Sequence, residues 1–165
     1  MEKILLITKE NFKDNPLFYE DLIFDFYRNN NEFYPRERLN IADMIFNRNV
    51  FYTALLVDDK IVSLARFAKV VERKTIFMVR QITTLREYQG KGYGPKCIEA
   101  GYDYVRQQGG KKLCNVVDKD NVASIKMHEK CGFKLSKPTK HLEKYDYYWE
   151  GAYLYEKDLD EIENS

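Results

Sequence analysis

Cysteine is scarce in this chain, and long apolar runs are missing from it. The three thiols, Cys97, Cys114 and Cys131, form an odd set at wide spacing with no Cys-x-x-Cys pair. That spacing draws no disulfide framework and no zinc site, so reduced cysteines in a cytoplasmic protein, with no metal, are the expectation. The N-terminal apolar stretch runs only from Ile4 to Ile7, short of the roughly 7–15 residues of a signal-peptide core. No later run approaches the roughly 18 apolar residues of a membrane helix. An excess of one charge is missing too, since 27 Lys plus Arg face 26 Asp plus Glu for a net charge of +1. That balance argues against a nucleic-acid footprint and against a polybasic membrane anchor. No repeat, linker or low-complexity stretch divides the 165 residues, so one domain over residues 1–165 is expected.

What the chain has is apolar mass, 44% hydrophobic and 15% aromatic residues. A domain of this size removes roughly 68–70% of its unfolded surface from water, enough for a real core. Lys3 to Thr8 reads as a strand. Pro16 behind Asn15 is a cap-and-first-turn pair opening a helix through about Arg28, and a second helix is expected from Pro35 to about Phe46. Alternation then takes over, with strands over Phe51–Val57, Lys60–Val71 and Thr75–Leu85 joined by turns at Asp58-Asp59 and Arg73-Lys74. Helix returns at Pro95 and stops at Gly109-Gly110. Leu113–Val117 is a short buried strand, Asp120-Asn121 caps a helix to about Cys131, and Gly132 ends it. Phe133 onward and Tyr147–Leu159 read as the last strands. A strand–helix–strand unit inside an otherwise antiparallel order predicts a mixed α/β (α+β) domain. One parallel pair, near Leu85 and Leu113, would free backbone polar groups where it splays.

The most informative segment is Gln89-Gly90-Lys91-Gly92-Tyr93-Gly94, followed by Pro95-Lys96. Three alternating glycines allow main-chain N–H groups to converge on an anion. The helix that follows adds its positive dipole end and its free first-turn donors. Lys91, and Lys96 after it, add formal charge, so a phosphate or pyrophosphate fits. The spelling is neither a Walker A loop, which needs Gly-Lys-Ser/Thr, nor the dinucleotide fingerprint, whose last glycine falls on Pro95 or Cys97. A plain glycine-rich surface turn is the rival reading of this loop taken alone.

The second segment runs from Asp120 to Phe133. At 100° per residue Asn121, Ser124, Ile125 and His128 share one helix face roughly 100° wide, while Lys126 and Lys130 look to solvent. A polar stripe on the side where a surface helix is usually apolar needs partners, and a ligand alongside would supply them. Taken together, Gln89-x-x-Gly92-x-Gly94 and Asn121-x-x-Ser124-x-x-x-His128-x-x-x-Gly132-Phe133 resemble the motif pair of the GNAT superfamily of acetyl-CoA-dependent N-acetyltransferases. The motif pair covers about Thr75 to Phe133, and the order of elements extends the likeness over the chain. The resemblance implies a mostly antiparallel sheet of about six or seven strands with one splayed parallel pair, flanked by about four helices. Two positions depart from the family pattern. His128 stands where many members carry the tyrosine that protonates the leaving thiolate, and Arg86 where many carry a proline.

The same resemblance implies acetyl-CoA as cosubstrate. Gln89, Gly90, Lys91, Gly92, Tyr93 and Gly94 would then hold its pyrophosphate. The backbone around Ile82 and Thr84 would pair with its pantetheine arm, and main-chain N–H groups there would polarise the thioester carbonyl. Asn121 and Ser124 would flank the arm, and His128 becomes the candidate general acid. Each has a plainer alternative: Asn121 as a helix cap, Ser124 as a small core residue, Tyr93 packed on the sheet, His128 merely hydrogen-bonded. The expected acceptor is a small-molecule primary amine that attacks directly, and a homodimer stays open. Presenting a lysine-like amine neutral at pH 7 costs roughly 4.6 kcal/mol, an α-amine about 1.4. Glu72, Glu32 and Glu37 are base candidates by region only. The two N-terminal helices and the last hairpin, with aromatic residues such as Phe18, Tyr19, Phe26, Tyr27 and Trp149, would form the acceptor pocket. Residues Lys137 to Ser165 hold eight acidic residues against four lysines, a mild hint of a cationic acceptor. A CoA-binding regulatory module without turnover is the alternative class, and a nucleotide-binding regulator a remoter one.

Overall fold

The computed structural model describes residues 1–30, 40–70, 73–136 and 151–159. Its strands are β1 (Glu2–Ile7), β2 (Val50–Val57), β3 (Lys60–Lys69), β4 (Ile76–Thr84), β5 (Lys112–Asp118), β6 (Lys134–Ser136) and β7 (Ala152–Asp158). They form one sheet in the order β1-β2-β3-β4-β5-β7-β6, antiparallel at every junction except β4–β5. This is the expected mixed α/β sheet with a single parallel pair. The β2–β3 hairpin turns on Asp58 and Asp59, at φ 51° and 65°, the left-handed pair that matches the twist of the flanking strands.

Six α-helical segments lie among the described residues: α1 (Lys9–Asp14), α2 (Pro16–Asn29), α3 (Ile41–Asn47), α4 (Tyr93–Ala100), α5 (Tyr102–Gln107) and α6 (Val122–Lys130). That exceeds the expected four for two reasons. Thr8, read as the end of a strand, instead caps α1, its hydroxyl accepting from Asn11 N–H at 3.3 Å. The helix expected from Pro95 to Gly109 begins two residues earlier and is interrupted at Gly101. A Cβ there would stand 2.6 Å from Phe67 Cζ, so the helix passes the Phe67 ring only where it lacks a side chain. The helix expected over 35–46 occupies Ile41–Asn47, with the Asn40 side chain accepting from Asp43 N–H at 3.0 Å. The start of that helix with Glu37, and Glu32 before it, lie outside the described residues. So do Glu72 and the hairpin segment that carries Trp149.

Strand alternation sends apolar side chains to both faces of the sheet. Phe51, Leu55 and Phe67 pack under α4 and α5 with Cys97, Ile98 and Val105, and the Phe51 and Phe67 rings stack with centroids 4.6 Å apart. Tyr52, Ala54 and Leu56 point the other way, against Phe26, Tyr27, Ile41 and Ile45 from α2 and α3. The glycine loop that opens α4 and the helices α2 and α3 therefore sit on opposite faces of the sheet.

Candidate active site

The one parallel junction is narrow. β4 and β5 pair at three positions only, Ile76 with Lys112, Phe77 with Leu113 and Met78 with Cys114. β4 continues to Thr84 and β5 to Asp118, so past Met78 the two strands diverge and their facing backbone groups have no ladder partner in the sheet. Near the same point β4 carries a bulge. Phe67 of β3 is opposite Val79 while Arg66 is opposite Gln81, leaving Arg80 as the extra residue. A bulge shifts the alternation by one. Phe77 and Val79 before it, and Ile82 after it, all join the α4 side, whereas Gln81 turns to the α2 side, where its Oε1 accepts from the Tyr27 hydroxyl at 3.1 Å.

The glycine loop lies at the far end of β4. A single 3-10 turn (Arg86–Tyr88) follows the strand, and Gln89 folds back so that its Nε2 donates to Thr84 O at 3.1 Å. Gly90 and Gly92 take φ 79° and 80°, a region L side chains enter only at a cost. Gly92 caps α4 with no side-chain bond, so the first-turn N–H groups of this helix are available to a ligand. Gly94 is required for a different reason. A Cβ on it would stand 3.1 Å from Met127 Sδ, 3.6 Å from Ile82 Cγ2 and 3.8 Å from Thr84 Oγ1. The start of α4 is thus pressed onto β4 and α6 together, which brings the two sequence segments into one place. The Lys91 ammonium stands 5.4 Å above the Tyr88 ring. Lys96 is occupied by Glu2, Nζ to Oε2 3.3 Å. The Tyr93 side chain packs on the sheet as its plainer reading has it, its hydroxyl donating to Glu2 Oε1 at 2.6 Å. That bond, with Lys96 beside it, holds the Glu2 carboxyl below its ordinary range.

On α6, Asn121 is the helix cap, accepting from Ser124 N–H at 3.1 Å. His128 is fully buried. Its Nδ1 lies 2.7 Å from Ser124 O, a group that only accepts, so Nδ1 carries the proton. Nε2 lies 2.8 Å from Asn115 Nδ2, and Asn115 is oriented by its own Oδ1, which accepts from Val116 N–H at 2.8 Å. Nε2 is therefore an acceptor and the ring is neutral. Burial holds its pKa below the ordinary 6.5, against the smaller opposing effect of the Ser124 carbonyl. Phe133 meets the ring edge-on at 5.2 Å. Of the expected inward polar stripe only His128 is buried, with its partner on β5, a strand the helix spacing gave no sign of; Ser124 is half-buried and Asn121 is exposed.

Sequence reasoning missed the Arg80 bulge and the Asn115 contact, because both depend on which strand lies alongside. The three thiols are buried, and desolvation pushes Cys97 to about 11, Cys114 to about 12 and Cys131 to about 11. None supplies a thiolate nucleophile at neutral pH.

Comparison with known proteins finds the same fold elsewhere. The ribosomal-protein-S18-alanine N-acetyltransferase of Escherichia coli shares the fold at a TM-score of 0.67 and 18% identity, covering 100% of this chain and 99% of that one. The PaiA N-acetyltransferase of Thermoplasma acidophilum, solved with coenzyme A, does so at 0.65 and 14%, covering 96% and 99%. A Bacillus anthracis protein described as a streptothricin acetyltransferase, solved with acetyl coenzyme A, does so at 0.59 and 18%, covering 74% and 69%. No curated protein sequence matches. The model of the acetyltransferase (GNAT) family matches residues 15–133, and the chain belongs to that family.

Proposed function

We propose that this protein transfers an acetyl group from acetyl-CoA to a primary amine by direct attack. The observation that carries the reading is the uncapped, left-handed glycine entry to α4, set against a β4 strand that has parted from β5. In this reading the N–H groups of Gly90, Lys91, Gly92, Tyr93 and Gly94 hold the pyrophosphate, and Gln89 fixes the loop to Thr84. The backbone of β4 around Ile82 and Thr84 pairs with the pantetheine arm, and Asn121 and Ser124 border it from α6. When bound, acetyl-CoA supplies an activated thioester. The chain's own part is to orient that carbonyl, present donors to its oxygen and admit the amine. The buried thiols favour direct attack over an acyl-cysteine route.

We read His128 as a neutral brace that ties α6 to β5 rather than as the proton donor. A thiol of ordinary pKa about 8.5 leaves near neutral pH without a strong acid at its side. No described helix is long and apolar enough to cross a membrane. The reading places one acetyltransferase domain over residues 1–165 in the cytoplasm.

Calorimetric titration with CoA and acetyl-CoA tests the donor site, and thiol release from acetyl-CoA with a panel of amines tests transfer. Binding and amine-dependent release are expected. Binding without release on any amine would instead make the protein a CoA-binding regulatory module, and no affinity for either CoA form would end the proposal.

A further inference from the structure

Asn115 is the first residue of β5 beyond Cys114, the last one paired with β4, so it stands where the two strands begin to part. Its side chain leaves the sheet toward α6, on the same face as Leu113 and Val117 of the core under α4. Its neighbour Val116 turns its backbone into the gap. Lys119 N–H donates to Gly151 O at 3.0 Å, and Leu159 N–H donates to Lys111 O at 2.8 Å. The odd-numbered residues of β5 therefore direct their backbone groups to β7 and the even-numbered ones to β4. Val116 N–H is thus the first on β5 to face the opening, and Asn115 Oδ1 covers it at 2.8 Å. The orientation of this amide is set at both ends. The atom beside Val116 N–H must accept, which makes it oxygen. The atom 2.8 Å from the unprotonated His128 Nε2 must donate, which makes it Nδ2. An amide nitrogen has two N–H groups. One is engaged by His128, and the other has no partner among the described residues. Asn115 is half-buried, so the spare N–H belongs to a group that is immobilised and still partly open.

The proposed course of acetyl-CoA brings its sulfur to this place. The glycine loop lies past Thr84 at the far end of β4, and an arm that pairs with Thr84 and then Ile82 runs back along the strand toward Met78. Resting on the acetyl-transfer reading, we infer that Asn115 is a catalytic residue of that reaction, its free N–H hydrogen-bonding the sulfur of acetyl-CoA as the thiolate departs. His128 stands where the resemblance sets a proton donor, but both its ring nitrogens are engaged, one by Ser124 O and one by Asn115. The ring holds the donor and Asn115 presents it, so His128 is a positioning residue. In the reaction the amine nitrogen bonds to the carbonyl carbon, the C–S bond breaks and its electron pair goes to sulfur. The surplus proton of the amine passes to water, and Asn115 gives up none. Its N–H meets little charge on the thioester sulfur and a full charge on the thiolate, so the bond strengthens as the barrier is crossed.

Two ligands that need no turnover read the contact directly: CoA, and desulfo-CoA, in which hydrogen replaces the thiol. In the wild type the ultraviolet thiolate absorbance of bound CoA should titrate about one pH unit or more below that of free CoA. Above that pH, calorimetry should show about tenfold or stronger preference for CoA over desulfo-CoA. Asn115→Ala should lose both effects and about tenfold or more of kcat, while its desulfo-CoA affinity stays at the wild-type value and certifies the fold. Asn115→Asp has the same shape and keeps an oxygen for Val116 N–H but has no N–H to give, so it should lose them too. His128→Leu removes the acceptor that fixes the amide and should abolish the shifted titration. His128→Gln, which offers an amide oxygen instead, should recover part of it. Wild-type protein on which CoA titrates as it does in free solution overturns the inference and leaves acetyl transfer standing. So do Asn115 variants that lose kcat with the titration unmoved, since loss of structure alone gives that result. A wild type with no affinity for CoA or desulfo-CoA is a different outcome, which ends the acetyl-transfer reading and this inference with it.

Discussion

Gly92 and Gly101 offer a paired experiment in which the same methyl group does two different kinds of damage. At Gly92 a Cβ would meet nothing within 4 Å, but φ is 80°. The cost of Gly92→Ala is therefore conformational alone, about 1–2 kcal/mol for an L residue held in the left-handed region. If the loop keeps its shape, that cost is a lower Tm, about 2–4 °C per kcal/mol in a domain of this size. If the loop relaxes, its amides turn from the anion, and the same energy becomes a five- to thirtyfold weaker Kd for CoA. At Gly101 the backbone is ordinary, φ −86°, but the Cβ would stand 2.6 Å from Phe67 Cζ. Gly101→Ala is an overpacking change of about 1–3 kcal/mol inside the core, away from the loop. Thermal melts with and without CoA, paired with calorimetry, separate the two. Gly101→Ala should lower Tm and leave CoA affinity intact. Gly92→Ala should lower affinity or Tm, with Gly92→Asn milder because Asn tolerates the left-handed region. A Gly92→Ala protein with wild-type Tm and wild-type Kd would refute the account of the loop, as would a Gly101→Ala protein that binds CoA as weakly.

Because burial depresses the His128 pKa, the unfolded chain takes up that proton first. The stability it contributes is whole above pH 6.5 and is lost as pH falls below it, at a slope approaching about 1.4 kcal/mol per pH unit until the folded ring titrates. Urea titrations of wild type and His128→Gln from pH 7.5 to 5 should show their stability difference shrinking over that window; a constant difference would contradict a buried neutral ring. The three cysteines should stay unreactive toward a thiol reagent at pH 8 in the native protein and all react in urea, and fast labelling of any one before unfolding would contradict their burial.

Much of the sheet could be read before the structure because its signals are local. Asp58-Asp59 between two alternating runs gives the hairpin, and Gly132 after a polar helix gives the stop. The left-handed glycine loop and the Asn121 cap were legible for the same reason, since glycine φ values and helix caps are also local properties. What escaped depends on distant neighbours. The need for glycine at position 101 comes from the Phe67 ring on β3. The bulge at Arg80 exists only relative to the β3 register, and it decides which face of the sheet each later residue of β4 takes. Of the polar stripe expected to face inward on α6 only His128 does so fully, its partner being Asn115 of β5, while Asn121 stays exposed as the helix cap. Thr8 could have been read as a cap from the four helix-compatible residues after it, and the strand before it masked that signal.

The brevity of the β4–β5 seam bears on solubility. A sheet edge with bare N–H and C=O groups is an invitation to pair with strands of other molecules. Here two such edges face each other inside the sheet, β4 and β5 both being interior strands of its order. If acetyl-CoA pairs with β4 as proposed, the backbone row it uses lies inside the sheet, between β4 and β5, and not on an outer edge where another chain could compete for it.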